Sequence, residues 1–352
     1  VLGRLRGFIM PVTALATGLG MVAVVYVGGG AVAAGRMSLG GFVAFTGYLA
    51  LLVWPTAMLG WIITLVQRGA ASMTRLNQVL FAPPALEDIP DAQELVTRQA
   101  VSLDFKDVSV VIHGRTLLDH ITFQVPAGSR VGITGPVGCG KSTLLRLLLR
   151  LQAPSSGRID IDGVALEQYT IDSLRSRVGY VPQDAQLFSR SIAENIRYGG
   201  DDSLEVALTE AGLAKDVASF SDGIHTVIGE RGITLSGGQR QRVALARVLA
   251  GAPSLLLLDD PLASVDVERE EAILATLRDA GRGKTVLIVS QRVSAFKDCA
   301  IILYLEDGKL VECDTPQALL ARPSRYRRLV EMQAGVLPDD ALFSCGGLCE
   351  PA

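Results

Sequence analysis

Gly135-Pro136-Val137-Gly138-Cys139-Gly140-Lys141-Ser142 carries the spacing G-x-x-x-x-G-K-S. Its glycines let the backbone curl until several N–H groups point at one anion. Lys141 can reach the β- and γ-phosphates of a nucleotide, and the Ser142 hydroxyl can ligate Mg2+. The flanks are those this chemistry needs. Arg130-Val131-Gly132-Ile133-Thr134 reads as a buried strand before the loop. The run from Thr143 to Leu151 reads as a helix whose N-terminus adds partial positive charge. Gly135, Gly138, Cys139, Gly140, Lys141, Ser142 and Thr143 are the expected nucleotide contacts.

Two further segments carry chemistry. Ser254-Leu255-Leu256-Leu257-Leu258-Asp259-Asp260 is a leucine strand that ends in two carboxylates. Its apolar run alone says buried parallel strand. Its end places Asp259 to hold the nucleotide's magnesium and Asp260 to act on a water. Leu235-Ser236-Gly237-Gly238-Gln239-Arg240-Gln241-Arg242 opens a helix expected to run to about Ala250. The spacing of Ser236 and Gln239 is that of a capping box. Capping alone does not need Gly237-Gly238, which weaken a first turn and suit close approach to an anion. Taken by itself, this segment reads equally as a helix cap and as a phosphate site.

These segments need a scaffold, and the chain supplies two kinds. There is no charged residue from Phe8 to Gly35 and none from Met37 to Gln67, with Arg36 between. Each run exceeds the roughly 20 residues that cross a bilayer core. Arg4, Arg6, Arg68 and Arg75 at the outer ends favour cytoplasmic termini. Phe81-Ala82-Pro83-Pro84 stops the helix that leaves the second run, because proline lacks the donor and clashes with the preceding turn. The acidic stretch from Leu86 to Arg98 reads as a linker. From Ala100, strands (Val101 to Phe105, Val108 to Ile112, Ile121 to Val125) give way to strands alternating with helices, the mark of an α/β domain with a largely parallel core sheet. The expected organisation is a membrane pair at residues 1–80, a linker at 81–99, an α/β domain at 100–333 and a loose tail at 334–352. The net charge of −3 offers no electrostatic case for nucleic acid. Of the five cysteines, the late pair Cys345 and Cys349 has no metal partners, and reduced thiols are expected.

Together the three chemical segments resemble the ATP-binding cassette family, and the resemblance covers nearly the whole chain. The family's signature, L-S-G-G-Q, stands intact at Leu235 to Gln239. Tyr180-Val181-Pro182-Gln183-Asp184 resembles the loop whose glutamine, here Gln183, approaches the magnesium and couples to the membrane domain. Thr226-Val227-Ile228-Gly229-Glu230-Arg231-Gly232 and the run Leu187-Phe188-Ser189 through Glu194-Asn195-Ile196 resemble exporter segments. Ala263-Ser264-Val265-Asp266 resembles the family's D-loop at the dimer interface. The apolar runs resemble the fifth and sixth helices of a six-helix exporter half, which would make the chain, opening on Val1, a fragment without the first four. The resemblance implies two transmembrane α-helices followed by an α/β P-loop NTPase domain. It implies ATP and Mg2+ as ligands, with Ser142, Gln183 and Asp259 around the metal. It also implies a multi-pass place in the cell (inner) membrane, among membrane lipid, with the ATP-binding domain in the cytoplasm. In the family, two cassettes sandwich each ATP between the phosphate loop of one and the signature of the other.

Three positions depart from the family's pattern. Asp260 stands where a catalytic glutamate is usual, Gln291 where a switch histidine is usual, and Ile112 where an aromatic stacks on adenine, with His113 next to it. The departures fall beside an untouched phosphate loop and signature. That pattern resembles the degenerate-site subunit of a heterodimeric bacterial exporter, whose partner, a second exporter half, keeps the glutamate and histidine. In that reading Asp260, Gln291 and Gln183 form this chain's weakly hydrolytic site, and Ser236, Gly237, Gly238 and Gln239 complete the partner's working site. The competing expectations are an ordinary homodimeric exporter with slow hydrolysis, a soluble cassette ATPase acting on DNA or ribosomes, an importer subunit and a regulatory nucleotide sensor.

Overall fold

The computed structural model describes residues 2–84, 86–97, 99–200, 204–229, 235–262 and 267–335. The D-loop-like segment at 263–266, Glu230-Arg231-Gly232, and Cys345 and Cys349 in the tail lie outside the described residues. The chain divides into two units, Val1–Pro84 and Ala85–Ala352.

The first unit is a helix pair, α1 (Leu2–Ala33) and α2 (Leu39–Leu80). Between them Gly35 takes the left-handed conformation (φ 68) that ends α1. Ser38 then caps α2, its Oγ accepting from the Gly41 N–H at 3.1 Å. The Thr46 and Thr64 hydroxyls donate to carbonyls of the preceding turn, at 3.1 Å to Phe42 and 2.9 Å to Gly60, so they need no outside partner. Gly28 lies where a Cβ would fall 2.5 Å from Phe42 Cε2, so the ring of α2 rests in the gap that glycine leaves on α1. Large apolar side chains of α2 face outward, Trp54 at 70% and Trp61 at 61% exposure. Among the described residues α2 is long and apolar enough to cross a membrane, whereas the apolar stretch of α1, Gly18–Ala33, is shorter. Helix α2 ends before Phe81, as the Pro83-Pro84 pair dictates.

The second unit is α/β. Its strands are β1 (Leu103–Ile112), β2 (Arg115–Val125), β3 (Arg130–Thr134), β4 (Ser156–Ile161), β5 (Val164–Ala165), β6 (Val178–Val181), β7 (Leu255–Asp259), β8 (Thr285–Val289), β9 (Ile301–Glu306) and β10 (Lys309–Asp314). Its helices are α3 (Lys141–Leu148), α4 (Ile171–Arg177), α5 (Ile192–Arg197), α6 (Leu204–Glu210), α7 (Ala214–Ala218), α8 (Gly237–Ala250), α9 (Val267–Ala280), α10 (Pro316–Ala321) and α11 (Arg325–Gln333). An antiparallel sheet has the order β2-β1-β4-β5, and the core sheet has the order β10-β9-β3-β8-β7-β6. In the core sheet β9, β3, β8, β7 and β6 run parallel and β10 antiparallel to β9. Leu255, Leu256, Leu257 and Leu258 are all buried, because a parallel strand is covered on both faces.

Three local expectations change. The strands expected at Val101 to Phe105 and Val108 to Ile112 are one strand, β1, whose register slips between Phe105 and Val108. Asp107 takes φ 55 at the irregularity, and a Cβ on Gly157 across from it would lie 2.1 Å from the Asp107 carbonyl. The bulge thus depends on a glycine far away in sequence. The helix expected to reach Leu151 stops at Leu148, and Arg150 follows with φ 45.

The stretch expected as a linker is hydrogen-bonded to the α/β unit. Buried Arg150 donates to the Tyr169 carbonyl at 2.5 Å, the Glu87 carbonyl at 3.0 Å and the Asp88 carboxylate at 3.3 Å. Asp88 also accepts from the Ile171 N–H at 2.8 Å. Gln93 pairs with the backbone at 168 and 170, and Leu95 is buried. Polar composition concealed this, since the anchoring partners all lie in the folded domain.

Candidate functional site

The phosphate-binding candidate is built where β3 hands over to α3. The backbone passes through Gly135 (φ 140), Gly138 (φ 83) and Gly140 (φ 103). A Cβ on Gly135 would fall 1.9 Å from the Leu305 carbonyl oxygen, and one on Gly140 would fall 2.7 Å from that of Leu117. Gly138 differs: nothing lies within 4 Å of its Cβ position, so its glycine faces the open side of the loop. Cys139 is buried beneath, and burial pushes its thiol pKa up against the opposing charge of Lys141. Gly140 precedes α3 with no side-chain cap, which leaves the first-turn N–H groups directed at the loop's mouth.

Lys141 Nζ donates to the Gly135 carbonyl at 2.8 Å and the Pro136 carbonyl at 2.7 Å, which arches the ammonium over the loop. Ser142 Oγ meets Asp259 Oδ1 at 3.2 Å, joining the start of α3 to the end of β7. Asp259 is 6% exposed, and the Tyr180 hydroxyl donates to its Oδ2 at 3.2 Å. Burial, with the Asp259 charge adding, pushes Tyr180 up to about 12, so its hydroxyl stays a donor. A hydroxyl beside a carboxylate is a hard-oxygen set that suits Mg2+ completed by phosphate and water. Among the described residues no group of three or more His, Cys, Asp or Glu could hold a metal by itself. Lys141→Ala should cost about 1.5–3 kcal/mol in ATP binding, the range for hydrogen bonds to charged groups. Calorimetry on the variant checks this, and unchanged affinity would remove Lys141 from the phosphate contacts.

Asp260 follows at φ 47, its N–H bonded to the Val289 carbonyl at 2.8 Å and its Oδ1 accepting from Ser290 Oγ at 3.2 Å. Burial raises its pKa, and the neighbouring Asp259 charge adds to that, against Ser290, Arg292 and Lys141. Gln291 is exposed, and its carbonyl accepts from Gln333 Nε2 at 2.6 Å. Gln183 is exposed just beyond β6. Ile112, 36% exposed, ends β1 before the left-handed pair His113 and Gly114.

The capping box at the start of α8 is formed. Ser236 Oγ accepts from the Gln239 N–H at 3.3 Å, and Gln239 Oε1 accepts from the Ser236 N–H at 3.0 Å. Gln239 Nε2 then donates to Asp216 Oδ1 at 3.1 Å, and Asp216 pairs with Arg242 at 2.8 Å. A Cβ on Gly238 would meet Ile273 Cδ1 at 3.7 Å, an ordinary contact, so packing among the described residues does not require that glycine. The bonds of Ser236 and Gln239 stay on α8 and α7, apart from the cluster of Lys141, Ser142 and Asp259. Residues 190–192 and 226–228, flagged in sequence as exporter-like, are backbone-paired: Ile192 N–H donates to the Thr226 carbonyl at 3.1 Å and Ile228 N–H to that of Arg190 at 2.9 Å. Buried Asn195 ties this edge together by accepting from Phe188 N–H at 2.9 Å and from Arg247 at 2.6 Å. Sequence reasoning gave no role to Tyr180, Ser290, Asp216 or Arg247, because each acts through a partner on a different element.

Comparisons with known proteins agree with this geometry. The ABC transporter family model matches residues 118–263. A probable multidrug resistance ABC transporter ATP-binding/permease protein of Bacillus subtilis is 38% identical over 85% of this chain and 52% of its own length. An ATM1-type heavy metal exporter of Novosphingobium aromaticivorans is 37% identical over 85% of this chain and 50% of its own length. The chain thus spans about half the length of these curated relatives. The solved structure of a bacterial Atm1-family ABC exporter with ATP bound superposes with a TM-score of 0.74, at 36% identity, over 94% of this chain and 59% of that one. With phosphate loop, strand-end aspartate and L-S-G-G-Q helix in one α/β unit, that unit is an ATP-binding domain of the ABC transporter family.

Proposed function

We propose that the chain is one half of an ATP-driven exporter of the cell (inner) membrane. Both α1 and α2 span, and the ATPase domain lies in the cytoplasm. Its cargo belongs to the class for which the relatives are named, multidrug substrates or heavy-metal species. The partner is a second, different half that keeps the catalytic glutamate and the switch histidine.

The observation that carries this reading is the cluster of Lys141, Ser142 and Asp259, with Asp260 following Asp259 and tied to Ser290, which precedes Gln291 in the chain. Phosphates are received by the first turn of α3 and by Lys141. Ser142, Asp259 and Gln183 would hold Mg2+, which would supply neutralisation of charge on the phosphate oxygens. Asp260 sets its carboxylate one C–C bond short of a glutamate's, about 1.5 Å. A misplacement of ~1 Å can cost on the order of 100-fold in rate. The Ser290 hydroxyl also occupies one of the Asp260 oxygens, Oδ1, at 3.2 Å, which leaves fewer lone pairs open to a water. Gln291 can hydrogen-bond a γ-phosphate but carries no positive charge. This chain's own site therefore binds ATP and turns it over slowly. Gly238, which packing among the described residues does not require, serves the site completed with the partner.

Nucleotide retention tests this. After incubation of the pair with radiolabelled Mg-ATP and rapid removal of free nucleotide, each complex should keep one uncleaved ATP and release ADP from its other site. Equal ADP production at both sites would overturn the degenerate-site reading.

A further inference from the structure

Asp259 has two oxygens, and the structure occupies both. Oδ1 faces Ser142 Oγ at 3.2 Å, and Oδ2 accepts from the Tyr180 hydroxyl at 3.2 Å. The reach of Tyr180 follows from sheet register. Strand β6 runs parallel to β7 with Tyr180 opposite Leu257. Alternation puts residues 257 and 259 on one face, so the ring lies alongside the strand end with its hydroxyl at the carboxylate. The last torsion of an aspartate is broad and roughly two-fold, so a carboxylate without a second partner samples a range of rotations. A donor on Oδ2 removes that freedom. Tyr180 also roots the segment that leads, three residues on, to Gln183.

We propose that Tyr180 is a positioning residue for the divalent cation of bound nucleotide: its hydroxyl fixes the rotation of the Asp259 carboxylate so that the oxygen beside Ser142 is the one presented to the metal. Partners of this kind orient metal-binding carboxylates and typically change metal affinity by about 10–100-fold when removed. The inference rests on the assignment of Asp259 to the metal made above. Packing does not account for the hydroxyl, since Tyr180 is only partly buried and a phenylalanine would fill the same volume.

The test uses Mn2+ as the probe, followed by electron paramagnetic resonance on the intact purified protein with AMP-PNP. Tyr180→Phe should raise the Mn2+ dissociation constant about 10-fold. Its affinity for AMP-PNP in EDTA, and its thermal midpoint, should stay at the parent values. Asp259→Asn serves as the reference and should weaken Mn2+ at least as much. If Asp259→Asn weakens Mn2+ and Tyr180→Phe does not, the metal assignment stands and the role of Tyr180 is overturned. If Asp259→Asn itself leaves Mn2+ binding intact, the metal assignment fails and takes Tyr180 with it. Equal weakening of AMP-PNP with and without metal in Tyr180→Phe would make the hydroxyl structural and also overturn the proposal.

Discussion

Ser236→Asp or Gly237→Asp should lower the ATPase rate of the paired complex by about 100- to 1000-fold, the loss seen when a donor to developing transition-state charge is removed. Asp260→Asn in the same chain should cost no more than a few-fold. The ranking follows from the division of labour between the sites. In the proposed pair, Ser236 and the first turn of α8 would face the partner's γ-phosphate, where turnover would occur, whereas Asp260 would belong to the site that holds ATP. Ser236→Asp is the informative variant because aspartate caps a helix about as well as serine. The turn that Ser236 and Gln239 close therefore stays folded while a carboxylate is set against the phosphate. Steady-state ATPase measurements on the pair decide it. If Asp260→Asn abolishes activity and the signature changes are tolerated, this chain holds the working carboxylate, and the family assignment survives without the asymmetry.

The second large effect is a gain. Asp260→Glu combined with Gln291→His should raise the ATPase rate of the purified chain alone by on the order of 100-fold, the factor by which ~1 Å of misplacement depresses a catalytic group. The backbone favours the experiment. Asp260 already sits at φ 47 with its N–H fixed on the Val289 carbonyl at 2.8 Å, so the longer side chain starts from a defined root. Asp260→Glu alone should give part of the gain, because Gln291 can still hydrogen-bond a phosphate without carrying charge. No rise from the double change would overturn the proposal that Asp260 and Gln291 make this site slow.

Legibility in the sequence followed the distance over which each feature is determined. The phosphate loop, the leucine strand and the L-S-G-G-Q helix were readable because their glycines, caps and apolar runs act within a few residues. The order of strands and helices likewise announced an α/β unit. What escaped depends on partners remote in sequence. The β1 bulge at Asp107 needs Gly157, the segment 86–97 needs Arg150 and Ser173, and the orientation of Asp259 needs Tyr180. The signature illustrates the boundary. Its spacing fitted a cap and a phosphate site equally; the structure shows the cap formed, and the glycine left over at 238 keeps the second use alive.

The place of β3 in its sheet bears on how the protein is made. Strand β3 lies between β8 and β9, with Val131 opposite Leu287 on one side and Ile301 on the other. Both neighbours are encoded beyond residue 263, where the family match ends. Chains leave the ribosome N-terminus first, and contacts between distant segments form late. A nascent polypeptide that already displays the phosphate loop, the strand-end aspartate and the signature still has β3 unflanked and Gly135 without the Leu305 carbonyl against which it curls. Capture of nucleotide must therefore wait for translation to pass β9. A stop codon placed just after residue 263 would yield a product with those motifs complete and no pocket to use them.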